Sequence, residues 1–393
     1  MGFTYLGPVD GHDVRLFQET LVRALNMGKP VVIHAVTKKG LGYAPAQANP
    51  EAFHGVAPFD IATGEIRKSK GGAPTYTSVF SQRLIAEAEE NPCIVAITAA
   101  MPAGTGLDAF AKRFPRRFFD VGIAEECAVT MASGLAIGQF VPVVAVYSTF
   151  LQRAYDEIAT NVCLQNLHVV FAVDRAGLVG EDGSTHHGTF DLAYLRTLPN
   201  MRILAPSDEA ELARALRFAI DATGPIAVRF PRGKAQGVAL PEHVGPIDDH
   251  ARVVHGAAEG LVDVSFLAVG RMVHSAVEAA QELEERGISA RVFDMRWVKP
   301  VDARAVQAAA HDSRLLVSVE DGTLAGGFGS AVLETLADAG LEAQVLRLGL
   351  PDAFVGHGTV EGLLSMLELD AHGIAESVAH KLEGVAPARG GER

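Results

Sequence analysis

Residues 141–147, Val-Pro-Val-Val-Ala-Val-Tyr, run straight into residues 148–156, Ser-Thr-Phe-Leu-Gln-Arg-Ala-Tyr-Asp. A short apolar run that passes at once into a helical pattern reads as a buried strand feeding a helix. The same unit recurs. Cys93–Ile97, His168–Val173, Met201–Pro206 and Pro225–Phe230 are further β-rich runs, separated by helical stretches between Tyr76 and about Phe230. Strands alternating with helices predict a parallel sheet covered by helices. A second cycle follows, with strands near Val262–Ala268, Ala290–Asp294, Leu315–Glu320 and Ala343–Leu348 and a helix over Ser275–Arg286. The expected fold is therefore α/β, with two successive domains, each a parallel or mostly parallel sheet sandwiched by helices.

Outward from these domains the pattern weakens. Residues 76–235 and 251–388 are the expected domains, joined by a Gly- and Pro-containing linker over 236–250. Residues 1–75 read as a remnant: a helix over Asp13–Met27, a strand over Pro30–Thr37, and a long loop from Lys38 to Pro74. The tail after Gly384 is expected to fray.

Composition excludes several classes of function. Of 393 residues 48% are hydrophobic and only 21% charged, which argues for packed domains over disorder. A net charge of -13 disfavours broad attraction to nucleic acid or an anionic membrane, while leaving room for a local basic pocket. Cys93, Cys127 and Cys163 lack CxxC spacing, so neither a disulfide framework nor a structural zinc site is indicated. No apolar run spans a bilayer, Met1–Leu6 lacks the regions of a signal peptide, and Leu6 rules out a myristoylation signal. The expectation is a soluble cytoplasmic protein without nucleic-acid or membrane partners.

Four strand ends of the first domain carry polar groups. Glu125 stands where an apolar strand turns into an Ala-rich helix; alone it reads first as a capping or dipole partner, and its neighbours raise the reading of a tuned acid. Tyr147, Phe150 and Arg153 follow the quoted strand, at the end where open parallel sheets place ligands, although singly Phe150 reads as core and Arg153 as a surface ion pair. Residues 174–188, Asp-Arg-Ala-Gly-Leu-Val-Gly-Glu-Asp-Gly-Ser-Thr-His-His-Gly, form the most site-like loop. Its glycines allow turns near a ligand, and Arg175, Asp182 and His186 supply anion-binding and proton-transfer groups. A metal reading of His186-His187 is weak, because neighbouring side chains on an extended segment diverge. Arg229 and Arg232 end another strand and could present two guanidinium groups to a phosphate, or equally be a salt-bridged linker.

Together with Gly7–Asp13, Thr37–Tyr43 and Gly349–Phe354, these segments resemble, in order and over nearly the whole chain, the 1-deoxy-D-xylulose-5-phosphate synthases of the transketolase-like thiamine diphosphate family. The resemblance implies a pyrimidine-binding domain followed by a transketolase-like C-terminal domain. It implies a transferase that condenses pyruvate with D-glyceraldehyde 3-phosphate and releases carbon dioxide, giving a precursor for isoprenoids, thiamine and pyridoxal. Glu125 would hydrogen-bond the cofactor's aminopyrimidine, Phe150 would stack on it, and Tyr43 would touch the cofactor. His54 and His186 would handle protons. Tyr147, Arg153, Arg175, Asp182 and Arg232 would bind the acceptor, with the arginines on its phosphate. The family builds its cofactor site between domains, so a homodimer, or a partner chain carrying the diphosphate-binding domain, is implied.

Two departures qualify the likeness. The Gly-Asp-Gly motif that binds magnesium and diphosphate in the family is absent from these residues, so the magnesium ligands are expected in a missing N-terminal segment and the chain alone is expected to be inactive. Where the family has Glu-Gln-His, this chain has Glu125-Glu126-Cys127, and the added carboxylate could retune its neighbour. Two alternatives stay open: the β-like half of a two-chain 2-oxo acid dehydrogenase or transketolase, and a non-catalytic dimerisation or regulatory paralogue.

Overall fold

A computed structural model describes residues 2–50, 52–56, 58–66, 72–241 and 244–384. The tail expected to fray after Gly384 lies outside them. Contacts divide the chain into two units, residues 1–71 and 72–393.

In the first unit, β1 (Thr4–Asp10) pairs in parallel with β2 (Val31–Val36), linked by the helix Val14–Leu25. Asp13 starts that helix by accepting a hydrogen bond from the Leu16 amide at 3.0 Å. Strand β1 escaped the pattern because Gly7 and Pro8 sit inside it, and its register shifts between Leu6 and Val9. The helix has no buried residue, and Leu25 is 74% exposed.

The second unit holds two sheets. The first runs in the order β12-β7-β8-β6-β5-β3-β4 and contains β3 (Ile94–Thr98), β4 (Phe118–Asp120), β5 (Val141–Tyr147), β6 (Val170–Asp174), β7 (Arg202–Leu204), β8 (Ile226–Arg229) and β12 (Trp297–Lys299). The second runs β14-β13-β10-β11-β9 and contains β9 (Arg252–His255), β10 (Val262–Ala268), β11 (Ala290–Asp294), β13 (Ser313–Thr323) and β14 (Val345–Leu350). Strands β3, β5 and β6 have every residue buried except Val141, as continuous apolar runs in a doubly covered parallel sheet should. Each sheet ends in one antiparallel edge strand, β12 on β7 and β9 on β11. Neither edge was legible: both are short, and β9 lies next to the stretch read as a linker. Strand β12 follows β11 in sequence yet closes the edge of the first sheet.

One hydrophobic core, including Val144, Phe171, Phe293 and Phe328, is shared by the two sheets. Across it runs a buried ionic chain. Arg229, at the end of β8, binds both oxygens of Asp191 at 3.0 and 2.9 Å and reaches Asp321 of β13 at 2.7 Å; Arg271 binds the other Asp321 oxygen at 2.8 Å. Burial opposes the charge on Asp321, but two guanidinium groups outweigh it and hold the carboxyl below its ordinary range. Gly177, with φ +73°, packs where a side chain would collide with the Asp321 carboxylate.

Removing one member of such a network leaves buried charge uncompensated. Arg229→Met is expected to lower the unfolding free energy by about 3–5 kcal/mol, read as a drop in the urea midpoint; an unchanged midpoint would show that the chain is not under that constraint.

Candidate active site

Parallel strands bring Tyr147, Asp174 and Arg229, the last residues of β5, β6 and β8, to one rim of the first sheet, with Tyr147 and Asp174 in register. Arg229 turns inward to the ionic chain just described. The reading of two guanidinium groups offered to a phosphate is thereby corrected: both Asp191 and Asp321 already occupy Arg229, and only Arg232 remains on the rim.

Arg232 donates from Nη1 to the Val179 carbonyl at 3.0 Å and to Asp182 Oδ2 at 3.1 Å. Arg175 donates to the same Oδ2 at 2.9 Å. The two guanidinium groups share one Asp182 oxygen, with Glu181 4.0 Å from Arg232, and their remaining N–H groups are donors suited to an oxyanion. The Arg175 guanidinium also lies over the Tyr147 ring, 4.0 Å from its centroid. Arg175 has φ +55°, unusual for a residue with a side chain, and its amide is held by Asp174 Oδ1 at 2.6 Å.

Tyr147 is 2% exposed. Burial pushes its hydroxyl up to about 12, against the pull of Arg175, so it is a neutral donor throughout the physiological range. A side chain at Gly104 would run into that hydroxyl. Phe150 stacks on Tyr147 with centroids 5.7 Å apart and planes at 19°, and meets His186 edge-on at 5.5 Å. His186 Nδ1 pairs with Thr185 Oγ1 at 2.9 Å.

The same helical segment that carries Phe150 carries Arg153, whose Nη1 lies 3.3 Å from Glu125 Oε2. Glu125 is the first residue of the helix Glu125–Ile137 and is 3% exposed. It caps nothing: among the described residues its carboxylate accepts no backbone hydrogen bond, and Oε1 accepts none at all. Glu126 is half-buried and Cys127 exposed.

Tyr43 and His54 belong to the first unit. Tyr43 donates to the Ile61 carbonyl at 2.9 Å and packs against Phe53 and Phe59; His54 Nδ1 pairs with Lys39 Nζ at 2.9 Å.

Two residues of the rim were missed. Asp174 accepts from Thr77 Oγ1 at 2.9 Å as well as from Arg175, and burial still pushes it up to about 7. Its only signal in the sequence is its place before Arg175 at a strand end. His187 accepts from the Val179 amide through Nδ1 at 3.0 Å and donates from Nε2 to the Gly356 carbonyl at 2.8 Å, which fixes one neutral tautomer. Residues 184–186 form a turn, not the extended segment expected. With both its nitrogens engaged, His187 has no lone pair to offer a metal.

Known proteins share this arrangement of sheets and motifs. The family described as transketolase, pyrimidine binding domain matches residues 72–237; transketolase, C-terminal domain matches 259–374; and 1-deoxy-D-xylulose-5-phosphate synthase matches 1–37. The 1-deoxy-D-xylulose-5-phosphate synthase 1 of Geobacter sulfurreducens is 52% identical over 380 residues, covering 95% of this chain and 59% of that protein. The synthase of Aquifex aeolicus is 48% identical over 387 residues, covering 98% and 60%. A solved chain titled a split gene transketolase, inactive beta4 tetramer, superposes with a TM-score of 0.70 at 32% identity, over 79% of this chain and 99% of that one. The chain belongs to the 1-deoxy-D-xylulose-5-phosphate synthase branch of the transketolase family. It spans about six-tenths of the length of the synthases it matches. A transketolase mutant from Pichia stipitis, at 20% identity and TM-score 0.66, covers 82% of this chain and 49% of its own and shares the fold.

Asp174 gives this family member's rim a pH signature. A carboxyl raised to about 7 from 3.8 keeps a proton in the folded chain that the unfolded chain has released, so stability falls as pH rises through that window. Between pH 5 and 8 the wild type is expected to lose on the order of 2 kcal/mol more unfolding free energy than Asp174→Asn. Urea titrations at the two pH values check this; identical pH dependences would contradict it.

Proposed function

We propose that this chain contributes the pyrimidine-binding side of a thiamine diphosphate-dependent synthase that joins pyruvate to D-glyceraldehyde 3-phosphate, forming 1-deoxy-D-xylulose 5-phosphate and carbon dioxide. The observation that carries this is Glu125, buried at a helix start with one carboxylate oxygen on Arg153 and the other without a hydrogen bond among the described residues. That open acceptor fits a nitrogen-bound proton of an aminopyrimidine, and half-buried Phe150, on the same helical segment as Arg153, offers an aromatic surface. When bound, the cofactor supplies the carbanion-stabilising chemistry; the protein's part is orientation and proton handling.

In this reading Glu125 Oε1 exchanges a proton with the pyrimidine. Arg175 and Arg232, with Asp182 between them, hold the acceptor's phosphate; Tyr147 donates a hydrogen bond and Arg153 orients Glu125 and the acceptor. His186 Nε2 gives or takes a proton at the acceptor carbonyl; by the family likeness His54 is assigned a proton-handling role and Tyr43 a cofactor contact. Magnesium has no ligands to carry over, for these residues contain no Gly-Asp-Gly. The cluster of Glu282, His372 and Glu376 is no substitute, because both carboxylates already pair with Arg286 on the surface.

A diphosphate-binding domain must therefore come from elsewhere in a longer protein or from a partner. Exposed apolar residues on the helix Val14–Leu25 support a covering neighbour. The likeness to a split-gene transketolase chain favours a second reading of the assembly, in which the two halves are separate subunits. In either case we expect a dimer of active sites in the cytoplasm, in keeping with three free cysteines.

The test combines the chain with the diphosphate-binding domain of a related synthase, thiamine diphosphate and magnesium, and follows product by mass spectrometry. Product is expected from pyruvate with glyceraldehyde 3-phosphate. Glu125→Gln should lower kcat by at least about 100-fold; undiminished turnover would remove the basis of the proposal. Arg175→Met should raise KM for the phosphorylated acceptor about tenfold or more while leaving KM for pyruvate unchanged. Equal effects on both substrates would place the phosphate elsewhere.

A further inference from the structure

Arg232 also lines a second hollow, a cleft of about 520 Å³ between the segment after β8, the start of the helix Met272–Glu285 and the helix Val360–Met366. A volume of this size suits a small metabolite. Its floor is preset: Tyr76 and His274 both hydrogen-bond the Ser207 carbonyl at 3.2 Å. Its lining carries charges of both signs. Arg232 and Lys234 come from the segment after β8 and Arg271 precedes the helix Met272–Glu285, whereas Glu278 lies in that helix's second turn and Glu361 in the first turn of the helix Val360–Met366.

Arg232 and Arg271 are tied to Asp182 and Asp321, but the side chains of Lys234, Glu278 and Glu361 have no hydrogen bond or ion pair among the described residues. Glu181, 4.0 Å from Arg232, makes the lining acids equal in number to the lining Arg and Lys. A bare anion therefore gains little from net charge. A molecule with separated charges can satisfy both groups at once.

We propose that this cleft binds a small dipolar metabolite, with its anionic group at Lys234 and Arg271 and its amino group at Glu278 and Glu361. The binding claim does not depend on the synthase reading, since it concerns the chain as it stands. O-phosphoethanolamine, which carries both charges, and inorganic phosphate, which carries one, are the probes, titrated calorimetrically into the full chain.

O-phosphoethanolamine is expected to bind about tenfold more tightly than phosphate. Lys234→Gln and Glu278→Gln should each weaken it about tenfold, and Ser275→Phe, which fills the cleft, should abolish binding. Lys234 and Glu278 are exposed and Ser275 is half-buried, and unchanged melting temperatures verify the fold. Arg175→Met should leave binding unchanged. Loss of binding in Arg175→Met with retention in Lys234→Gln would assign the anion to the rim of Tyr147 and overturn the proposal. Absence of binding up to about 10 mM would overturn it too.

Discussion

The burial of Arg229 between Asp191 and Asp321 is the constraint on which the rest of the second unit rests. Stripping an ion of water costs several kcal/mol, and only close pairing offsets that cost. Asp321 belongs to β13 and Arg229 to β8, so satisfying the charges fixes one sheet against the other. Gly177 yields its side-chain space to the Asp321 carboxylate, and His187 ties the same loop to the Gly356 carbonyl. The loop bearing Asp182 and His186 is thus fitted to β13 of the second sheet on one flank and held to the segment after β14 on the other. That sheet contributes no residue to the proposed acceptor set, yet it positions the loop that does.

The inward turn of Arg229 also separates two arginines that look equivalent on paper. Three residues further on, Arg232 stays at the rim and shares Asp182 with Arg175. A carboxylate between two guanidinium groups keeps both side chains ordered while leaving N–H donors free, which is the condition for anion recognition without collapse of the site. Arg232 then stands between the rim and the dipolar cleft. Asp174 works beneath them, holding the backbone of Arg175 in its left-handed turn while its own burial favours the protonated form.

Much of this was legible in the sequence because strand ends of a parallel sheet gather on one side. Apolar runs at 141–147 and 168–173 located Tyr147 and the 174–188 loop, whereas Glu125, opening an Ala-rich helix, read alone as a capping or dipole partner and was raised only by its neighbours. What escaped depended on partners distant in sequence. Nothing near Arg229 shows that Asp321 will meet it, 92 residues away. Strands β4, β9 and β12 are too short to display a period, and β1 is broken by Gly7 and Pro8. The charges of Lys234, Glu278 and Glu361, unpaired among the described residues, become a feature only when two helices and a strand end bring them to one cleft.

The proposed chemistry rests on Glu125, and a crystal structure of the completed assembly with thiamine diphosphate tests that role most directly. The expected result is the aminopyrimidine within hydrogen-bond distance, about 3 Å, of Glu125 Oε1, with Phe150 against the ring. A cofactor bound with its pyrimidine away from Glu125, or a Glu125 carboxylate still closed on Arg153 alone, would contradict it.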